Sequence, residues 1–153
     1  MGYRFEFLEF ETGSSNEIRT ITEMETSFTL KIRRSRIENI DSNKILKNLN
    51  KLMLEEKLFC DEDLKLERLA MILNIRTDQL SELINQTYSV NFNTYINDFR
   101  IEEAKTYLIS KEKRDILSIA FACGFNSKSS FNSEFKKRTN LTPKQFKELY
   151  SHS

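Results

Sequence analysis

The sequence predicts a mainly α-helical chain: two helix-turn-helix units joined by a linker helix, about seven helices in all, with a small β-hairpin or sheet at the amino terminus. Three observations carry that expectation. Only three glycines and one proline stand among 153 residues while 31% are charged, the composition of well-solvated helices. From Asp41 onward apolar residues recur at helical spacing, the mark of a helix with one buried face. The chain also repeats itself. Leu69-Ala70 corresponds to Ile119-Ala120, Asn74 to Gly124, Ile75 to Phe125 and Thr77 to Ser127 at an offset of 50. Leu80 then corresponds to Phe131, Ile84 to Phe135, Val90 to Leu141 and Tyr95 to Phe146 at an offset of 51.

Taken in order, residues 1–40 differ from the rest. Tyr3, Phe5 and Phe7 alternate with Arg4 and Glu6, and Phe28, Leu30 and Ile32 alternate with Thr29 and Lys31, both strand patterns. Gly13-Ser14-Ser15-Asn16 lies between them. Two strands alone are marginal in water, so this segment is expected to pack on the helices or on a second copy. Its aromatic face reads as core, as a homodimer or regulator-partner surface spanning residues 3–32, or as part of a larger domain. Residues 41–151 form the helical domain. Ile45, Leu49, Leu52 and Met53 trace the stripe of its first helix, capped by Asp41 or Ser42. Residues 66–73 and 77–88 give the next two helices. Residues 93–110 give a long fourth, with Tyr95, Ile96, Phe99, Ala104 and Leu108 inward. Ile116, Ile119, Ala120 and Cys123 mark a short apolar helix that stops at Gly124, and a polar-fronted basic helix follows from Ser127 to Arg138. Thr142-Pro143-Lys144-Gln145 is a helix start: threonine caps, proline fits the first turn and glutamine closes a capping box.

Net charge is only +1, but its distribution is uneven. Nine basic and four acidic residues lie from Lys111 onward, against fifteen and nineteen before it. The positive field therefore sits on the second helix-turn-helix, whose second helix is the element that enters a DNA major groove. No apolar run approaches the ~18 residues of a membrane span and no signal-peptide core is present, so a cytoplasmic chain without a membrane segment is expected. Cys60 and Cys123 lack ligand spacing and the only histidine is His152, so no metal and no cofactor are expected. Cys123 reads as a small buried side chain. With no nucleophile–base constellation and no phosphate loop, an enzyme is not expected.

From Ser118 to Phe146 the pattern S-I-A-x-x-C-G-F-x-S-x-S-x-F-x-x-x-F-K-K, followed by T-P-x-x-F, resembles the second helix-turn-helix of the AraC/XylS family of bacterial transcription regulators. With the internal repeat, the resemblance covers roughly residues 64–150. It implies a sequence-specific regulator of double-stranded DNA whose linker helix presents two recognition helices to successive grooves, about 34 Å apart. Activation through RNA polymerase is implied as well. At the positions the family uses for base reading stand Lys128, Ser129, Asn132 and Ser133, with chemistry suited to guanine, adenine and flanking groups. Ser127, Lys136, Lys137 and Arg138 are the expected phosphate contacts. In the first unit the corresponding positions bring Arg76, Asp78, Gln79, Ser81 and Glu82, where the carboxylates disfavour phosphate. That unit is expected to read bases, or to serve as a scaffold or partner surface. Arg100 and Glu102-Glu103 resemble positions that fix the two units relative to each other, against the plainer reading of surface charge with Lys105. Residues 34–69 are similar to the connector of family members with a membrane sensor, which implies a stand-alone or truncated output domain; the family's ligand-binding barrel does not fit in residues 1–40. The alternative is a protein-interaction or antagonist module that pairs with another regulator through the amino-terminal segment or the acidic first unit.

Overall fold

The helical period expected from Asp41 onward is realised in the described residues. A computed structural model describes residues 15–110 and 114–150, with residues 15–19 and 32–37 described by backbone alone. The chain divides into an amino-terminal body, residues 1–38, and a carboxyl-terminal body, residues 39–153.

In the amino-terminal body the described residues form one helix, α1 (Ser15–Ile37). This corrects the expected amino-terminal hairpin: among the described residues there is no strand, and Phe28, Leu30 and Ile32 are helical. The alternation at 28–32 is short, whereas Ile21, Met24 and Phe28 also fit a helical stripe, and neither glycine nor proline interrupts the chain between Gly13 and Gly124. Two threonines of this helix bond back along it. Thr26 Oγ1 donates to the Thr22 carbonyl (2.7 Å) and Thr29 Oγ1 to that of Glu25 (2.8 Å). The other expected strand, Tyr3 to Phe7, lies outside the described residues.

The carboxyl-terminal body contains α2 (Ser42–Leu54), a 3-10 turn at Leu58–Cys60, α3 (Leu66–Ile72), α4 (Thr77–Tyr88), α5 (Phe92–Ile109), α6 (Ile116–Ala122), α7 (Lys128–Thr139) and α8 (Pro143–Tyr150). Side-chain caps start most of these helices. Asp41, Asn91 and Asp115 each accept a hydrogen bond from the amide three residues on, at 3.1, 2.9 and 2.9 Å. Thr142 and Gln145 close the expected capping box, with Gln145 Oε1 accepting from the Thr142 amide at 2.9 Å.

Two hydrophobic cores result, one per helix-turn-helix. The first joins Ile45, Leu49 and Met53 of α2 with Phe59, Leu69, Leu80 and Ile84. The second joins Ile119, Ala120, Cys123, Phe125, Phe131 and Phe135. Helix α5 serves both: Tyr95, Ile96 and Phe99 pack into the first, Ile101, Ala104 and Leu108 into the second. Because each residue turns the helix by about 100°, Ile101 lies about 140° round from Ile96, so the two ends of α5 bury different faces.

The internal repeat is visible in the backbone. Asn74 (φ 54°) and Gly124 (φ 89°) take the left-handed conformation in the two turns, and Ser89 (φ 58°) and Asn140 (φ 59°) do so after the two second helices. The amide of Ile75 donates to Ala70 and that of Phe125 to Ala120, both at 3.0 Å.

Both cysteines are free, Cys123 buried and Cys60 partly so. Burial pushes the Cys123 thiol up to about 12 and the Cys60 thiol above its ordinary value. At pH 8 a thiol of pKa about 12 is thiolate in only one part in roughly ten thousand, and the thiolate is the nucleophile. Titration of the native chain with a thiol reagent at that pH is therefore expected to modify Cys60 slowly and Cys123 not at all until denaturant is added. Rapid modification of both would contradict the burial.

Candidate nucleic-acid interface

What α7 exposes is set by what it buries. Phe131 and Phe135 are fully buried in a row of ring contacts running Phe125–Phe131–Phe135–Phe146, with centroids 5.2, 5.5 and 5.3 Å apart. That row ties the turn, α7 and α8 together and turns the other side of α7 outward. Ser127 enters in extended conformation and its Oγ accepts the Ser130 amide at 3.1 Å, which starts the helix at Lys128.

On the outward side Lys128, Ser129 and Ser133 are exposed and Asn132 is half-buried; Lys136 and Lys137 are exposed on the following turns. Lys128, Lys136 and Lys137 make no ion pair among the described residues. The structure thus brings together a donor-rich first turn and two unpaired cations on one helix. Ser130 is also exposed there and was absent from the sequence reading. Its place between Ser129 and Phe131 gave no sign whether it faced solvent or core.

Arg138 is held differently. Its side chain is only 15% exposed, donating to Asp98 Oδ1 at 2.5 Å and pairing with Glu134. Burial works against its charge, but Asp98 and Glu134 outweigh that and raise its pKa. Arg138 therefore clamps α7 to α5 rather than projecting outward. Sequence alone could not separate it from Lys136 and Lys137, because Asp98 is 40 residues away.

Helix α4 offers a poorer surface. Arg76 Nε and Nη2 donate to the two carboxylate oxygens of Asp78 at 2.9 and 3.0 Å, a pair that neutralises itself and holds the Asp78 carboxyl below its ordinary range. Gln79 and Glu82 are each 7% exposed. Gln79 Oε1 accepts the Arg76 amide at 3.0 Å, and Glu82 accepts from Gln86 at 2.8 Å. Of the five residues expected here, Arg76, Asp78 and Ser81 lie on the surface and Gln79 and Glu82 do not.

The two units meet around Arg100 and Gly124. Arg100 Nε donates to the Phe59 carbonyl at 2.7 Å and Nη2 to that of Asp61 at 2.9 Å, with the guanidinium 5.7 Å from the Phe125 ring centroid. A Cβ on Gly124 would stand 2.6 Å from the Phe59 oxygen and 2.9 Å from the Cys60 carbonyl. The second turn is thus seated against the 3-10 segment of the first unit. Glu103 adds a 2.7 Å bond to Lys57, whereas Glu102 pairs with Lys105 on its own helix. Among the described residues no helix is long and apolar enough to cross a membrane.

Comparison with known proteins agrees with this geometry. A family model described as a helix-turn-helix domain matches residues 69–148. An HTH-type transcriptional regulator from the cgkA 5' region of Pseudoalteromonas carrageenovora is 31% identical over 117 residues, spanning 76% of this chain and 68% of that protein. The HTH-type transcriptional regulator YijO of Escherichia coli is 33% identical over 84 residues, 55% of this chain but only 29% of that protein. Among solved structures, the carboxyl-terminal domain of AraT, a response regulator from Geobacillus stearothermophilus, superimposes with a TM-score of 0.63 at 28% identity, covering 69% of this chain and 84% of that one.

Proposed function

The chain belongs to the AraC-type helix-turn-helix family of transcription regulators, and from that premise we propose that it reads double-stranded DNA in the major groove chiefly through α7. As a member of that family it is a DNA-binding protein and not an enzyme. One observation carries the finer reading. Lys128, Ser129, Asn132 and Ser133 share the outward side of α7 with Lys136 and Lys137, and none of the three lysines is consumed by an ion pair among the described residues. In this reading Lys128 donates to guanine O6 or N7 and Asn132 pairs with adenine, while Ser129 and Ser133 meet neighbouring base edges. Lys136, Lys137 and the amides at the Ser127 end bind phosphate and set register without reading sequence.

The first unit is proposed to act mainly as a scaffold. Its surface carries a self-neutralised Arg76–Asp78 pair and Ser81, and Gln79 and Glu82 are spent on internal bonds. Selection from a random duplex library tests both statements. The expected motif is one block, about four to six base pairs, as one recognition helix reads. Two blocks one helical turn apart would make α4 a second reader, and no enrichment at all would reject base reading by this chain.

A second expectation concerns salt. Each lost phosphate contact lowers the slope of log affinity against log salt by about 0.9. Lys136→Ala/Lys137→Ala should therefore reduce the slope by nearly two and weaken selected and scrambled duplexes alike. Loss confined to the selected duplex would place these lysines on bases instead.

A further inference from the structure

We propose that α1 is a self-association helix, pairing antiparallel with α1 of a second copy of this chain. Ile21, Met24 and Phe28 stand at i, i+3 and i+7, the a/d spacing of a helix–helix seam, and they are 57, 68 and 66% exposed. Helix α1 has 23 residues. In proteins a helix owes most of its stability to packing an amphipathic face, so a seam of this kind calls for a partner helix.

The charge pattern selects the partner and its direction. Residues 15–26 hold Glu17, Glu23 and Glu25 against a single basic residue, Arg19, whereas residues 27–37 hold Lys31, Arg33, Arg34 and Arg36 and no acid. A parallel pair would set the two basic halves side by side and Lys31 against Lys31 at the next seam position. An antiparallel pair sets the acidic half of each copy on the basic half of the other. In a register that packs Met24 of one copy against Phe28 of the other, Glu25 comes within about one helical turn of Lys31 across the seam. A helix carrying both complementary halves is its own best partner, which is why a second copy fits here better than a helix of one charge sign. The resulting dimer carries two α7 helices.

Sedimentation of the full chain over a range of concentrations tests this. The expected species is a reversible dimer of twice 18.2 kDa. Phe28→Glu should raise the dimer dissociation constant by about tenfold or more. Glu25→Lys and Lys31→Glu should each weaken the dimer, and the double variant Glu25→Lys/Lys31→Glu should recover most of the loss, because the cross-seam pair is restored with its signs exchanged. Residues 25 and 31 are too far apart on one helix to pair with each other, so recovery reports contact between copies. A monomer at every concentration would overturn the proposal and leave the seam to residues 1–14 or to another protein. A dimer indifferent to Phe28→Glu would overturn the surface, and a double variant no better than the singles would overturn the antiparallel direction.

Discussion

Replacing Lys128 and Asn132 together by alanine is expected to weaken binding to the chain's selected duplex by about a hundredfold or more, since a bidentate contact to a base edge discriminates by about 1–3 kcal/mol and two would be lost. Binding to a scrambled duplex should fall by far less, because Lys136 and Lys137 keep their phosphate contacts. The folded state should scarcely notice. Lys128 is exposed and unpaired among the described residues, Asn132 is half-buried, and neither belongs to the second core. Surface changes of this kind usually shift stability by less than about 0.5 kcal/mol. Anisotropy titrations with both duplexes, alongside thermal melts, measure the two effects separately. Equal losses on both duplexes would reduce α7 to a non-specific cationic face.

Gly124→Ala is expected to have the largest effect on stability, about 3 kcal/mol or more, although it adds a single methyl group. Two costs combine. The backbone at φ 89° is one that only glycine adopts without strain. The added carbon would also meet the Phe59 oxygen at 2.6 Å and the Cys60 carbonyl at 2.9 Å, and these are backbone atoms that no rotamer change can move aside. Asn74, its counterpart in the first unit, is exposed and has a positive φ. Asn74→Gly is therefore a control expected to change stability by only a few tenths of a kcal/mol. Denaturant midpoints for the two variants check the contrast; equal small shifts would mean that the turn is not seated against the 3-10 segment. Because the Phe59 carbonyl also accepts from Arg100, the Gly124 variant should loosen the hold of the linker helix on the first unit as well.

The helical domain was legible because its signals are local and repeated. The period of Ile45, Leu49 and Met53, the capping residues Asp41 and Thr142, and the offsets of 50 and 51 each name a helix or a turn without reference to distant parts of the chain. The bounds of α4 were read residue for residue as Thr77 to Tyr88. The amino-terminal helix was misread because three alternating residues, Phe28, Leu30 and Ile32, are too few to separate a period of 2 from one of 3.6.

The candidate site was legible to the extent that its chemistry is carried by one helix. Lys128, Ser129, Ser133, Lys136 and Lys137 lie outward as their spacing from Phe131 and Phe135 requires. Arg138, Gln79 and Glu82 were not legible in the same way. Arg138 is held by Asp98, 40 residues away, and Gln79 is turned back onto the Arg76 amide, neither of which a helix wheel shows. The same holds for Arg100 and Gly124, whose partners Phe59 and Cys60 belong to a 3-10 turn that the sequence did not announce.

One measurement bears on base reading by α7 above the others. In the selected duplex each guanine is replaced in turn by 7-deazaguanine, which removes the N7 acceptor from the major groove and leaves Watson–Crick pairing intact. Affinities are then taken for the wild type and for Lys128→Ala. At one position the wild type should lose about tenfold while Lys128→Ala loses nothing further, because the same contact has already been removed. If no position shows a penalty, or if the penalty is the same for both proteins, Lys128 does not read a base and recognition by α7 is contradicted.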